Sequence, residues 1–376
     1  MAFSPPFCPH SDCPCHRHPP SSRWWYRRGH FTTRLKGMIP RFTCTVCGRS
    51  FSTQSFSLDY WTKTRVDMKR IFFSLVSASG LRDMAREQKV SDKVIANRIM
   101  RLAHQSVILS TSLRRSRRVR EDIVIDGFES FVYSQYFPDN YTIAVGKTSQ
   151  YLYLMHHAQL NRKGRMSDVQ RRRNVIIRQL HPVEPGQIGA SFARVLTDMF
   201  YYWRYFDKND PRRVYTDMHK DYERIMKSDP DISEKVESGA LIHLTTSSKK
   251  ARTLSNPLMS VNYFDREIRK DQANHARETL QWAKSVNRSM DRLWVYAAYH
   301  NCWKPYRIKT NDERCHAEVA GYERAEIEKL KKGFFTRRYF RIGCDMNESE
   351  WNSWHHIWKS PTIEDRLRLP RYALAG

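Results

Sequence analysis

The pair Cys44-Thr45-Val46-Cys47, followed by Gly48-Arg49-Ser50-Phe51, constrains this chain more than any other stretch. Two thiolates at that spacing reach one Zn²⁺ at about 2.3 Å, and the glycine after them lets the loop turn tightly. Four ligands are needed. The other two are expected from Phe7-Cys8-Pro9-His10-Ser11-Asp12-Cys13-Pro14-Cys15-His16. Cys8 and Cys13 are the chosen pair, with Cys15, His10, His16 and His18 near enough to compete for the role. A short segment with few core residues needs a metal to fold, so the site is expected to be structural. Eight cysteines in 376 residues do not make a disulfide scaffold, and Cys8, Cys13, Cys15, Cys44 and Cys47 all precede residue 48. Residues 1–57 therefore read as a zinc ribbon.

The formal net charge is +26, which calls for a polyanionic partner, and nucleic acid is the first candidate. No apolar run approaches the roughly 20 residues of a membrane helix. The N-terminus carries Cys, His, Pro and Arg where a signal peptide has an apolar block, so a cytoplasmic protein is expected. Between the cysteine pairs lies Arg23-Trp24-Trp25-Tyr26-Arg27-Arg28, followed by Arg34, Lys36 and Arg41. Such a mixture suits phosphate contact and stacking, and suits equally a ribbon surface with a small core. Arg23, Trp24, Arg27 and Arg28 are the residues expected on DNA.

Residues 58–120 read as helical. Val66, Met68, Ile71, Phe72, Leu75 and Val76 recur close to a 3.6 period. The stretch from Gly80 to Ile99 has the pattern of a helix-turn-helix. Ala85 lies where two helices cross closely, Val90 in the turn, and Ser91 at the cap of the second helix. Lys93 and Asn97 would then lie on or near a groove-facing surface, with an ordinary helical hairpin as the alternative. Ser110 to Arg120 reads as a basic linker touching DNA backbone through Arg114, Arg115, Arg117 and Arg118.

Residues 121–305 alternate strands and helices. Strands are expected at 123–125, 141–145, 151–155, 214–215 and 240–244, with helices from Gly186, His219 and around Asp265. Three strands, a helix, a strand, a helix, a strand and a final helix is the order of a ribonuclease H-like α/β domain. Asp126 follows a buried strand, Asp217 follows a second, and Asp265 lies on the late helix. Three clustered carboxylates suit a pair of divalent cations, which relieve their repulsion. Glu267 is the fallback for the third acid. It lies about 200° around the helix from Asp265, so both cannot face the same ions. Lys249, Lys250 and Arg252 form a basic loop expected on DNA. Residues 306–376 read as a basic, partly helical C-terminal tail.

These features together resemble the insertion-sequence transposases of the DDE type that carry an N-terminal zinc ribbon. The resemblance rests on the Cys44–Phe51 knuckle, the helix-turn-helix pattern, Ile125-Asp126-Gly127, Thr216-Asp217-Met218-His219-Lys220-Asp221-Tyr222 and Val261-Asn262-Tyr263-Phe264-Asp265-Arg266. It rests also on Trp282-Ala283-Lys284-Ser285 and Tyr299-His300-Asn301. It implies structural Zn²⁺, catalytic Mg²⁺ or Mn²⁺ on Asp126, Asp217 and Asp265, and double-stranded DNA (terminal inverted repeats and target) as partner. It also implies a homo-oligomeric synaptic complex and a nucleoid-associated protein of a prokaryotic host. Many members carry Glu three residues after the Asn, where this chain has Asp265. Two other functions fit the same residues: a non-catalytic DNA-binding regulator derived from a transposase, and a structure-specific nuclease.

Overall fold

The computed structural model describes residues 3–203, 207–307 and 312–361. The N-terminal unit contains the short helix α1 (Pro14–Arg17) and a three-stranded antiparallel sheet, β1 (Trp25–Thr33), β2 (Gly37–Cys44) and β3 (Ser50–Ser52). Its small core is its own: Trp24, Phe42 and Phe51 pack with the cysteines. Phe7 meets Phe340 edge to face at 4.9 Å, and the Leu58 N–H donates to the Thr336 carbonyl, so the unit rests on the C-terminal part of the chain.

Three helices follow: α2 (Met68–Leu75), α3 (Leu81–Gln88) and α4 (Asp92–Ser116). Asp67 caps α2 by accepting the Arg70 N–H at 3.0 Å. Lys89, at φ 54°, ends α3 in a left-handed cap, and Ser91 precedes α4.

The central sheet is mixed. Its strands are β4 (Ile123–Phe131), β5 (Pro138–Gly146) and β6 (Leu152–Gln159), then β7 (Arg212–Thr216) and β8 (Leu241–Thr245), in spatial order β6-β5-β4-β7-β8. The first three pair antiparallel, while β7 and β8 run parallel to β4. Helices α5 (Asp168–Leu180) and α6 (Gln187–Trp203) precede β7, and α7 (Lys220–Ser228) and α8 (Pro230–Glu237) precede β8. Beyond β8 come α9 (Met259–Asp271), α10 (Val286–Cys302), α11 (His316–Val319), α12 (Arg324–Lys332) and α13 (Glu348–His355).

Successive residues of β5 assign the helices to faces. Thr142 bonds Ser191 of α6 at 2.8 Å, and its neighbour Tyr141 bonds Ser289 of α10 at 2.7 Å, so α6 and α10 cover opposite faces. Phe264 of α9 packs on Tyr296 and His300, which puts α9 on the α10 face. Asp126 pairs across the ladder with Ile143, in step with Tyr141, and so it too faces α9.

Three expectations change. The segment from Ser110 is not a linker, because α4 continues to Ser116 with Leu109, Thr111, Leu113 and Arg114 buried. The C-terminal extension is not a tail as far as it is described. Phe334 is fully buried, and the Gln105 side chain donates to the carbonyls of Phe334 and Arg337. Residues 362–376 of that extension lie outside the described residues. Finally, among the described residues one buried apolar cluster runs from Leu58 to Trp358, across positions 120 and 305.

Candidate functional site

Two constellations gather groups with chemistry. In the N-terminal unit, Cys8, Cys13, Cys44 and Cys47 bring their sulfurs within 4.8 Å of one another. Cys8 and Cys47 stand 3.8 Å apart, Cys13 and Cys44 3.7 Å. Gly48 takes φ 68° where its N–H turns back to the Cys44 carbonyl, a conformation that the missing Cβ permits. Cys15 is buried outside this group. His16 instead holds the Cys8 carbonyl through Nδ1 at 2.6 Å. A buried set of four thiols is the donor set of a structural zinc site.

The second constellation is built on the sheet. The parallel register pairs Val124 with Tyr215, and Asp126 and Asp217 each lie two residues further along, Asp126 within β4 and Asp217 just past the end of β7. Asp126 is not at a strand tip, since β4 continues to Phe131; it sits where the pairing with β7 gives out. Its Oδ1 accepts the Gly127 N–H at 2.7 Å. Asp217 caps its own turn, accepting the His219 N–H at 2.9 Å.

Asp265 arrives from α9. Val261, Phe264 and Ile268 bury one stripe of that helix against the sheet and α10, and Asp265 follows Phe264 at the stripe's edge. Its Oδ1 is enclosed and has no hydrogen-bond partner. Burial and then the charge of Asp126 push Asp265 up to about 8, against the pull of Arg269 and Arg252. Burial likewise raises Asp126 to about 6, and Asp217 adds to the rise while the Gly127 N–H and Arg252 oppose it. Tyr222 of α7 is raised well above its usual value by burial and then by Asp126, Asp217 and Asp265. All three acids therefore share one electrostatic neighbourhood. Among the described residues only the four cysteines bring all their ligand atoms within 4.8 Å, so the three carboxylates are more widely spread than a single-ion site.

Glu267 faces elsewhere. It is buried in ion pairs with Lys304 and Lys270. Two charged residues, one near Asp265 and one on Glu267, were not singled out from sequence. Arg269 lies four residues after Asp265, a helical pairing distance that would have found it. Its guanidinium also covers the Phe128 ring at 4.6 Å and donates to the Glu129 carbonyl at 2.9 Å. Lys304 carried no local signal, because its partner is 37 residues away.

The expected DNA-contacting residues divide. Arg27 and Arg28 are exposed on β1, and Arg23 is exposed with its guanidinium over Trp25. Lys93, Arg118, Lys249, Lys250 and Arg252 are exposed. Buried Asn256 pins the last three by donating to the Lys250 and Ala251 carbonyls. Arg115 and Arg117 are exposed but hold the Gly343 and Gly321 carbonyls. The Asn97 carboxamide oxygen accepts from Arg98 and Arg101. Two expectations are corrected. Trp24 is buried and stacks on Phe51, so it offers no face to a base. Arg114 is 3% exposed in a bidentate pair with Glu350, out of reach of phosphate.

Among the described residues no helix is long and apolar enough to cross a membrane. No family model matches the sequence, and a search of curated proteins finds no match.

Proposed function

We propose that this protein is a DNA transposase of the DDE type, with Asp126, Asp217 and Asp265 as the catalytic acids. One observation carries the reading: Asp217, just past β7, raises the proton affinity of Asp126 on β4, Asp126 raises that of Asp265 on α9, and the Asp265 Oδ1 has no partner. A buried acid cluster without a cation is unfavourable, and an orphaned carboxylate oxygen is the donor that a hard cation takes. The residues therefore fit Mg²⁺ or Mn²⁺. Bound there, a divalent pair would supply the positive charge that activates an attacking oxygen and stabilises a leaving one. The chain's own part is positioning. Asp126 and Asp217 lie two residues beyond the paired Val124 and Tyr215, and α9 carries Asp265 into the electrostatic reach of Asp126. Arg252, on the loop leading into α9, places a cation beside the acids where a phosphate would approach.

The order of elements from β4 to α9 supports a ribonuclease H-like domain, and α3, its left-handed cap and α4 support a helix-turn-helix. The net charge of +26 supports DNA as the partner and the four-cysteine unit a zinc ribbon beside it. The test is strand cleavage of plasmid carrying the DNA that flanks the gene. Nicking at element ends is expected only with Mg²⁺ or Mn²⁺, and Asp126→Asn, Asp217→Asn and Asp265→Asn should each abolish it. Nicking that ignores sequence and follows DNA shape would instead favour a nuclease. Sequence-specific binding by a folded protein with no cleavage would favour a regulator.

A further inference from the structure

Between the N-terminal sheet and the start of the helical region lies a cleft of about 860 Å³. Phe31, Arg34, Arg41, Trp61, Lys63 and Arg338 are among its walls, and no carboxylate is among its lining residues. Asp59, close by in sequence, is paired with Lys36 at 2.5 Å. The cleft is thus a basic trough with aromatic rings in it.

Trp61 is its unusual member. Its side chain is 82% exposed, and its backbone is held at φ 55°, in the left-handed region that bulky residues avoid. Such a conformation persists only where the surroundings over-determine it. Here they do. Buried Arg101 donates to the carbonyls of Leu58 at 2.9 Å and Tyr60 at 2.8 Å, on the stretch that leads into Trp61. The Tyr60 ring is in turn covered by Arg101 at 4.1 Å and Arg338 at 4.0 Å. Thr62 closes the turn by donating to the Asp59 carbonyl at 2.8 Å. The indole is therefore held out by a hydrogen-bonded turn, at the rim of a cation-lined cleft. Arg41 lies over the Phe31 ring at 5.3 Å inside the same cleft.

We propose that this cleft binds a single-stranded segment of DNA, with an unpaired base stacked on Trp61 and Arg34, Arg41 and Lys63 on the adjoining phosphates. An aromatic face at the edge of a positive groove takes any unpaired base and tracks the backbone beside it. A paired base has no free face to offer, so the cleft distinguishes single strands from duplex. The inference rests on the DNA-processing reading only for where such a strand comes from, namely the ends opened by cleavage and joining.

The test uses the full chain with zinc bound and no other divalent cation added, so strand cleavage plays no part in the outcome. Binding of a labelled oligothymidine and of a labelled duplex is followed by anisotropy. Trp61→Ala, an exposed substitution, is expected to weaken oligothymidine binding about tenfold and leave duplex binding unchanged. Trp61→Phe, which keeps a stacking ring, is expected to retain most of the affinity. Equal oligothymidine binding by the parent and Trp61→Ala would overturn the proposal. So would an equal loss on both DNAs, which would make Trp61 a general DNA contact. Absence of metal-dependent cleavage would overturn the transposase reading and leave this result standing.

Discussion

Lys304, just beyond α10, forms an ion pair with Glu267 of α9, and both side chains are only 6% exposed. Lys270, on the same helix as Glu267, joins it at 2.8 Å. This clamp ties α9 to the end of α10 and fixes which way the helix is turned. Asp265, about 200° away around the helix, is thereby left toward Asp126. The pair separates two acids that sequence alone leaves as rivals.

Glu267→Ala and Asp265→Asn should therefore behave oppositely. The first leaves buried Lys304 with only Asp271, at 3.8 Å, and is expected to cost stability, up to about 3 kcal/mol, while cleavage survives in the molecules that remain folded. The second replaces a carboxyl that burial and Asp126 push up to about 8 with its neutral isostere, and is expected to hold the melting temperature of the cation-free protein at neutral pH while abolishing cleavage. Melting curves and a nicking assay on the same samples check both.

The N-terminal unit should depend on zinc by itself. Its core is separate from the cluster that runs from Leu58 to Trp358. A chelator, or Cys44→Ser, is expected to unfold residues up to about the start of that cluster and leave the central sheet intact. Hydrogen exchange would show protection lost in β1–β3 and kept in β4–β6.

Arg114 and Arg252 lie in two arginine-bearing stretches but should fail differently. Arg114→Ala breaks a buried bidentate pair with Glu350 and is expected to cost about 3–5 kcal/mol of stability. Arg252→Ala, on an exposed loop, is expected to leave stability unchanged and lower the salt dependence of DNA binding by about one counterion. Denaturant titration separates the first effect and binding at graded salt the second.

Acid should destabilise the fold through buried histidines. Burial and then the charge of His356 hold His104 down to about 3, and burial with Arg292 and Arg269 holds His275 down to about 3. The unfolded chain takes up these protons near pH 6.5, whereas the folded chain resists them until about pH 3. Stability from this source is full above about pH 6.5 and is lost as pH falls below it, on the order of 2 kcal/mol per histidine by pH 5. His104 stacks on Trp354 at 4.4 Å and bonds the Trp354 backbone while its Nε2 has no partner, so His104→Phe should keep the stacking, lose that one bond and flatten the acid limb. Melting temperature against pH for the two proteins checks it.

What was legible in the sequence was legible for local reasons. Cys44, Cys47 and Gly48 announce themselves by spacing, and their sulfurs meet those of Cys8 and Cys13. Asp126 and Asp217 each come directly after a short apolar run, and those runs pair in parallel at Val124 and Tyr215, two residues before the acids. The misreadings came from long-range packing that overrode local composition. Arginine density around position 114 reads as a linker, but Glu350, 236 residues away, turns Arg114 into a core residue and lets α4 run on. The aromatic and basic stretch from Phe334 reads as a tail, but Gln105 and the cluster around Phe72 hold it in the core. Trp24 beside Arg23 reads as a stacking residue, yet the small N-terminal core needs its ring against Phe51. Trp61 attracts no notice as sequence, because only its backbone conformation and exposure set it apart.

The most direct test of the three-carboxylate site is a calorimetric titration of Mn²⁺ into the zinc-loaded protein and its Asp126→Asn, Asp217→Asn and Asp265→Asn forms. Mn²⁺ is expected to bind the parent and raise its melting temperature, with affinity at least about tenfold weaker in each variant. Undiminished binding in all three variants, or no binding to the folded parent, would contradict a cation site built from these acids.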